Sequence, residues 1–335
     1  MTRDTIIRQV VDELVATAHL SVASSRQLAS TRSSACVDEP LRLRPALGDL
    51  HKRCSSARSA RDGVMHTVRP NPRMEPEDMA IDFEVSDHIA LVTLNSPQRL
   101  NAMDAADYQA LSEAWTEVRD NTDIRVAVVT GAGDRAFSAG ADLKSFLGTP
   151  TDLSDFWLTQ QGQLLNRGIE MWKPVIAAVN GYCLGGGLTL MLATDIRFAT
   201  PSASFGLTEV KRGVLAANGG TQRLIEQLPH ALAMELLLTG DRFDVQTALQ
   251  WGLVNRVVET DDLLDTAFAT ARRISANAPL AVQATKELAL RSRDVDRATG
   301  LRLEEAMLKL LRHSEDALEG PRAFAEKRAP TFTGR

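Results

Sequence analysis

Glu209 and two small-residue clusters are the parts of this 335-residue chain whose types and spacing can do chemistry. Glu209 lies in Ser204-Phe-Gly-Leu-Thr-Glu209-Val-Lys-Arg-Gly213, a short extended piece that sets a carboxyl group between apolar residues. Such a group can give or take a proton, although taken by itself it suits a surface position better. Upstream, Asn180-Gly-Tyr-Cys-Leu-Gly185-Gly186-Gly187-Leu188 leads from a strand through a triple glycine into the apolar period Leu188, Leu190, Met191, Leu192. Amides at a helix start point outward with the positive end of the helix dipole behind them, which suits a developing negative charge. Successive glycines cost backbone entropy, about 0.5–1 kcal/mol each, so close approach to a ligand explains them better than structure alone. A second loop, Ala136-Phe-Ser-Ala139-Gly140-Ala141-Asp142-Leu143, is also built from small residues that leave amides uncovered. Asp142 can cap a helix beginning near Leu143. Two amide-presenting loops, at Ala139 and Gly186, with one carboxylate after them compose an oxyanion hole and a base.

Other chemistries fit less well. Gly131-Ala-Gly133-Asp-Arg-Ala136 follows a strand and mimics a dinucleotide fingerprint. That fingerprint needs a helix at once, and Phe137-Ser-Ala-Gly140 comes instead. There is no GxxxxGK, and Ser138 lacks the glycine that precedes the serine of a nucleophile elbow. The three cysteines, Cys36, Cys54 and Cys183, show no CxxC spacing, which argues against a structural zinc or a disulfide framework and for a reducing, cytoplasmic setting. No run approaches the ~18–20 apolar residues that span a bilayer. A net charge of −5 gives no electrostatic reason to expect nucleic acid.

The elements that must hold these loops can be read from periodicity. His88–Leu94, Arg125–Thr130, Pro174–Val179 and Asp195–Ala199 read as buried strands, and Asp104 can cap a helix carrying Tyr108, Leu111, Trp115 and Val118 on its apolar positions. Helices between buried strands imply an α/β core with a largely parallel sheet. After about residue 260 the pattern turns helical, over 261–275, 280–292, 298–312 and 315–327. The start differs in texture. Residues 1–73 carry 12 Lys/Arg against 7 Asp/Glu, while the remainder carries 26 against 36. Only residues 4–20 there have a helical apolar period. The expected division is therefore a disordered extension over 1–78, an α/β core over 79–260 and a helical region over 261–335. The extension also reads as sequence upstream of a start at Met65, Met74 or Met79.

In this order and spacing the motifs resemble the enoyl-CoA hydratase/isomerase (crotonase) superfamily over roughly residues 80–335. They are Pro97-x-x-x-Asn101-Ala102, Ala139-Gly-Ala-Asp142-Leu143, Ala178-Val-Asn-Gly181-Tyr, Gly185-Gly-Gly187, Phe205-Gly-x-x-Glu209, Gly219-Gly-Thr-Gln-Arg-Leu224 and Phe324-Ala-Glu-Lys-Arg328. The resemblance implies a crotonase-like ββα spiral core with a C-terminal helical oligomerisation region that forms trimers or dimers of trimers. It implies an acyl-CoA thioester substrate, with coenzyme A as part of the substrate and no other cofactor or metal. Ala139 and Gly186 are expected to hold the thioester oxygen, and residues 139–143 with Gly185 to line the coenzyme A site. Lys327 is expected to meet the nucleotide phosphate, and Asp152 to Trp172 to cover an apolar acyl pocket.

One departure matters. Hydratases of the family carry a second glutamate two residues after the triple glycine, where this chain has Thr189. A hydroxyl can orient water but cannot titrate near neutral pH. A single glutamate suffices to move a proton between carbons 2 and 4, so the expected reaction is Δ3,Δ2-enoyl-CoA isomerisation. The alternatives are hydration or dehydration, towards which the carnitinyl-CoA dehydratase-like tail from His313 to Arg335 points, and thioester hydrolysis. RNA-binding relatives would use a lysine-rich first helix, and residues 105–120 hold four acidic side chains against Arg119 alone. A silent scaffold would have lost Glu209 or a glycine of the hole.

Overall fold

Two runs of small and β-branched residues, Val126–Gly131 (β3) and Val175–Val179 (β5), are buried along their whole length and pair in parallel at the centre of a six-stranded sheet. The computed structural model describes residues 80–142 and 163–335, so the expectations for 1–78, for Leu143 and for residues 152–162 of the acyl cover lie outside the described residues. The sheet begins with the antiparallel pair β1 (Ile81–Ser86) and β2 (Ile89–Leu94). Asp87 and His88, at φ 49° and 66°, form their two-residue turn, the left-handed geometry that matches strand twist. Beyond β3 and β5, β7 (Ile196–Ala199) and β10 (Arg256–Val257) complete the order β1-β2-β3-β5-β7-β10, parallel from β2 onward.

Between these strands the chain visits a second sheet. Its strands β4 (Ala136–Ser138), β6 (Tyr182–Leu184) and β8 (Ser204–Gly206) run parallel, and β9 (Phe243–Asp244) closes it antiparallel. Each winding thus gives one strand to each sheet, the layered α/β spiral expected from the sequence. Period-two alternation assigns the faces. Ala127, Val129, Ala177 and Val179 enter a core with Phe137, Cys183, Leu188 and Phe205. Val126, Val128, Ile176 and Ala178 face the other way, onto a helix whose buried Leu263, Ala267 and Ala271 recur every four residues.

Helix α1 (Ala105–Asp120) is fixed at both ends. Asp104 accepts from the amides of Ala106 and Asp107, and Asp107 accepts from the amide of Asp104, a reciprocal capping box. At the other end the buried Lys173 ammonium donates to the carbonyls of Val118 and Asn121. Helix α2 (Gly186–Leu192) follows β6 directly, and α3 (Gly220–Gln227), α4 (His230–Thr239) and α5 (Val245–Gln250) wrap the second sheet. The tail forms α6 (Leu263–Ser275), α7 (Pro279–Arg291), α8 (Arg297–Leu311) and α9 (Glu315–Glu326), each within two residues of its expected bounds.

Asn101 ties the turn before α1 to the β3–β4 connection. Its amide group donates to the carbonyls of Ala132 and Ala136 and its oxygen accepts from the amide of Ser96, while its backbone sits at φ 54°. Each lost bond that leaves a buried partner unpaired costs about 1–3 kcal/mol. Asn101→Ala is therefore expected to destabilise the fold by about 3 kcal/mol, read as a lowered urea midpoint at unchanged m-value.

Candidate active site

The three loops that carry chemistry leave the carboxyl ends of three adjacent parallel strands. Residues 139–142 follow β4, Gly185 and Gly186 follow β6, and Glu209 lies three residues past the end of β8. The ladder continues one step past the strands, because the amide of Gly185 donates to the carbonyl of Gly206 over 2.8 Å. Crevices outside the carboxyl ends of parallel strands are where such sheets bind ligands. Glu209 itself opens a 3-10 turn, Glu209–Arg212, that ends on the left-handed Gly213.

Backbone approaches backbone here as closely as glycine permits. A Cβ on Gly140 would lie 2.7 Å from the nitrogen of Gly186, and one on Gly187 would lie 2.5 Å from the carbonyl oxygen of Ser138. A Cβ on Gly185 would come within 3.3 Å of Oε1 of Glu209, and one on Gly186 within 2.7 Å of the Tyr108 hydroxyl. Gly140 and Gly185 also sit at φ 95° and 52°, which side-chain-bearing residues rarely adopt. The triple glycine therefore clears three groups in turn: the carboxylate, the hole and the neighbouring strand.

One amide assignment changes. The amide of Ala139 donates to the carbonyl of Leu100 over 2.9 Å, so it is committed within the fold and does not serve the hole. Gly140 donates to the Ser138 hydroxyl and Asp142 to the carbonyl of Met103. Among these four, the amide of Ala141 alone makes no hydrogen bond among the described residues, and it lies 3.4 Å from the position of a Cβ on Gly186. The amide of Gly186, first residue of α2, has no partner within the helix. The facing pair of donors is Ala141 with Gly186.

Glu209 supplies the titrating group. It is half-buried, and its Oε2 is shielded from solvent without a hydrogen-bond partner among the described residues. Burial raises its carboxyl above the ordinary range, opposed by its own backbone amide and by the positive charge of Arg212. Thr189 is 2% exposed. Its hydroxyl donates to the carbonyl of Gly186 over 2.9 Å and accepts from the side-chain amide of Asn166 over 3.2 Å, so it serves the helix start.

Tyr108 had been read only as an apolar helix position. It stands in the first turn of α1, directly after the capping box, and its hydroxyl reaches the mouth of the hole beside Gly186. Burial, with the negative charges of Glu209 and Asp107 adding, pushes the phenol up to about 12, so it stays protonated at neutral pH. Arg99 holds this region together, bonding Asp104 and Asp107 and lying 3.7 Å from the carboxylate of Asp142. Other expected residues are placed elsewhere. Lys327 is the exposed, left-handed cap of α9; its backbone amide donates to the carbonyl of Phe324, and its ammonium makes no hydrogen bond or ion pair among the described residues. Within the described part of the expected acyl cover, residues 163–172, Leu165 and Met171 are buried in the main core. A polar cavity of about 940 Å³, whose lining does not include Glu209, carries the ion pairs Lys286–Asp195 and Arg293–Glu226.

Comparison with known proteins agrees with this geometry. A family model described as enoyl-CoA hydratase/isomerase matches residues 84–335. The chain is 45% identical over 256 residues to an (E)-benzylidenesuccinyl-CoA hydratase of Thauera aromatica, covering 76% of this chain and all of the relative. It is 44% identical to a carnitinyl-CoA dehydratase of Salmonella arizonae, covering 72% of this chain and 94% of that one. A crystal structure of an enoyl-CoA hydratase from Mycobacterium marinum superposes with a TM-score of 0.71 at 40% identity, covering 77% of this chain and all of that one.

The raised carboxyl of Glu209 has a signed consequence. The folded state holds this proton to higher pH than the unfolded chain does, so ionising Glu209 costs stability as pH rises through the folded value. Glu209→Gln should melt at a higher temperature than wild type at pH 8, with the gap closing on acidification. Its turnover should fall about 10²–10⁴-fold. The wild-type rate should decline on the acid side above the pH range of an ordinary glutamate, about 4.3. An equal melting temperature at pH 8 would contradict the burial argument.

Proposed function

This chain belongs to the enoyl-CoA hydratase/isomerase family, and we propose that it adds water reversibly across the C2–C3 double bond of a 2-enoyl-CoA thioester. The observation that carries the reading is a Glu209 carboxyl with one buried oxygen unpartnered among the described residues and the other beside Gly185, next to the amides of Gly186 and Ala141. In the addition, a water oxygen bonds to C3 while the Glu209 carboxylate takes the water's proton. The π pair moves to C1–C2, and the negative charge settles on the thioester oxygen between the amides of Ala141 and Gly186. Glu209 then gives its proton to C2, which restores the carboxylate and completes the addition of H and OH. Dehydration is the reverse. One group working from one face adds both parts syn.

The sequence alone favoured isomerisation, because Thr189 replaces the second glutamate. The relatives favour the alternative, since they include a hydratase and dehydratases. The hydroxyl of Thr189 is spent on the carbonyl of Gly186, so in this reading one carboxylate serves both steps. Isomerisation stays as a second reading because the same carboxylate could carry a proton from C4 to C2. Coenzyme A enters as part of the substrate, with no separate cofactor. The exposed leucines of α7 and α8, among them Leu280, Leu301 and Leu308, support a homo-oligomer. In a trimer or dimer of trimers, Lys327 of one subunit would meet the nucleotide phosphate bound by its neighbour.

A panel of 2-enoyl- and 3-enoyl-CoA thioesters, with products located by mass spectrometry and released thiol titrated, separates the readings. Gain of water by 2-enoyl substrates is expected. Movement of the double bond alone establishes isomerisation, and released thiol establishes hydrolysis. Thr189→Val should keep hydration within about tenfold of wild type while lowering stability by about 1–3 kcal/mol, because Asn166 loses its buried partner. Loss of hydration in a well-folded Thr189→Val would assign the water to Thr189.

A further inference from the structure

The mouth of the hole contains one polar side-chain atom that the proposed chemistry has not used. A point one Cβ bond length from Gly186 is 2.7 Å from the Tyr108 hydroxyl and 3.4 Å from the amide of Ala141. The hydroxyl therefore enters the same small volume as the two backbone donors. Its position is imposed from behind. Tyr108 follows Asp107, whose carboxylate is bonded to Arg99 and to the amide of Asp104, and the amide of Tyr108 donates to the carbonyl of Asp104. The same Arg99 faces Asp142, next to Ala141, so one guanidinium sets both the phenol and the loop it approaches. The glycine at 186 completes the match, since any side chain there would collide with the hydroxyl.

We propose that Tyr108 is a catalytic residue, its hydroxyl a third hydrogen-bond donor to the thioester oxygen of the bound acyl-CoA alongside the amides of Ala141 and Gly186. The inference rests on the enolate reading above and deepens it. A phenol that keeps its proton can donate but does not compete with Glu209 as a base. A donor aimed at the thioester oxygen acts most strongly where charge develops, in the enolate, and adds less to binding of the neutral thioester.

The test uses the full chain and acetoacetyl-CoA, whose bound enolate is read from its ultraviolet absorption. Wild type should hold the ligand largely as the enolate. Tyr108→Phe should lower the enolate-to-keto ratio at least tenfold and hydration about 10²-fold, with coenzyme A alone binding as before. Only two tyrosines occur in the sequence, Tyr108 and the exposed Tyr182. A Tyr182→Phe protein labelled with 3-fluorotyrosine thus carries a single reporter and leaves the packing of Tyr108 in place. Its fluorine resonance should move on adding acetoacetyl-CoA and stay with coenzyme A alone. An unmoved resonance, or an unchanged enolate ratio in folded Tyr108→Phe, overturns the inference while leaving the hydratase reading intact. A wild type that binds no enolate at all overturns both.

Discussion

The site depends on two stretches of main chain lying closer together than any side chain would allow. Residues 138–141 and 185–187 touch through Gly140 and Gly187, where added Cβ atoms would fall 2.5–2.7 Å from backbone atoms of the other stretch. Everything functional follows from that contact. It aligns two amides on one gap, leaves room for a ligand oxygen, and brings the carboxylate of Glu209 alongside. The contact is held by the parallel ladder β4-β6-β8 and its extension from Gly185 to Gly206. Strands of three residues would be marginal alone. They persist because Phe137, Cys183 and Phe205 are fully buried in the main core.

The electrostatic character of the gap comes from the same closeness. Backbone dipoles are fixed in place, so they need no rearrangement when charge appears. Glu209 is half-withdrawn from water with an oxygen left unpaired, and Tyr108 is withdrawn beside it. The unpaired oxygen of Glu209 is an arrangement that folding alone would not select, since buried polar groups ordinarily find partners. Thr189, Ser138 and Asn101 are buried polar groups too, yet each is fully engaged with backbone. That contrast separates the groups that build the loops from the groups left to meet a substrate.

Much of this was legible in the sequence. The four long strands and the four tail helices follow from apolar periodicity, and Glu209, Gly186 and the glycine-rich loops follow from residue type and spacing. The second sheet was not legible, because Ala136–Ser138 and Tyr182–Leu184 are too short to show alternation and lie against glycines. The exchange of Ala139 for Ala141 had the same root. Sequence identifies a loop rich in free amides, but which amide is free depends on the carbonyl of Leu100, brought there by a turn that Asn101 organises. Tyr108 was overlooked because helical periodicity assigns a tyrosine to a face, not to the place its hydroxyl reaches. Thr189 pointed towards isomerisation because a missing carboxylate is visible in sequence, whereas the hydroxyl's bond to Gly186 is not.

The winding that alternates strands between two sheets also constrains how the chain can acquire its shape. Pairings in the first sheet join β3 to β5 and β5 to β7, across intervening visits to the second, and Arg125 donates to the carbonyl of Phe332, 207 residues away. Such non-local closure makes chains slow to fold. A nascent chain emerging from the ribosome cannot assemble the gap until β8 has been made, and cannot seat Arg125 until nearly the last residue has been added. Until β5 and then β7 have been made, an edge of β3 and then of β5 stands unpaired, which opens the growing chain to aggregation.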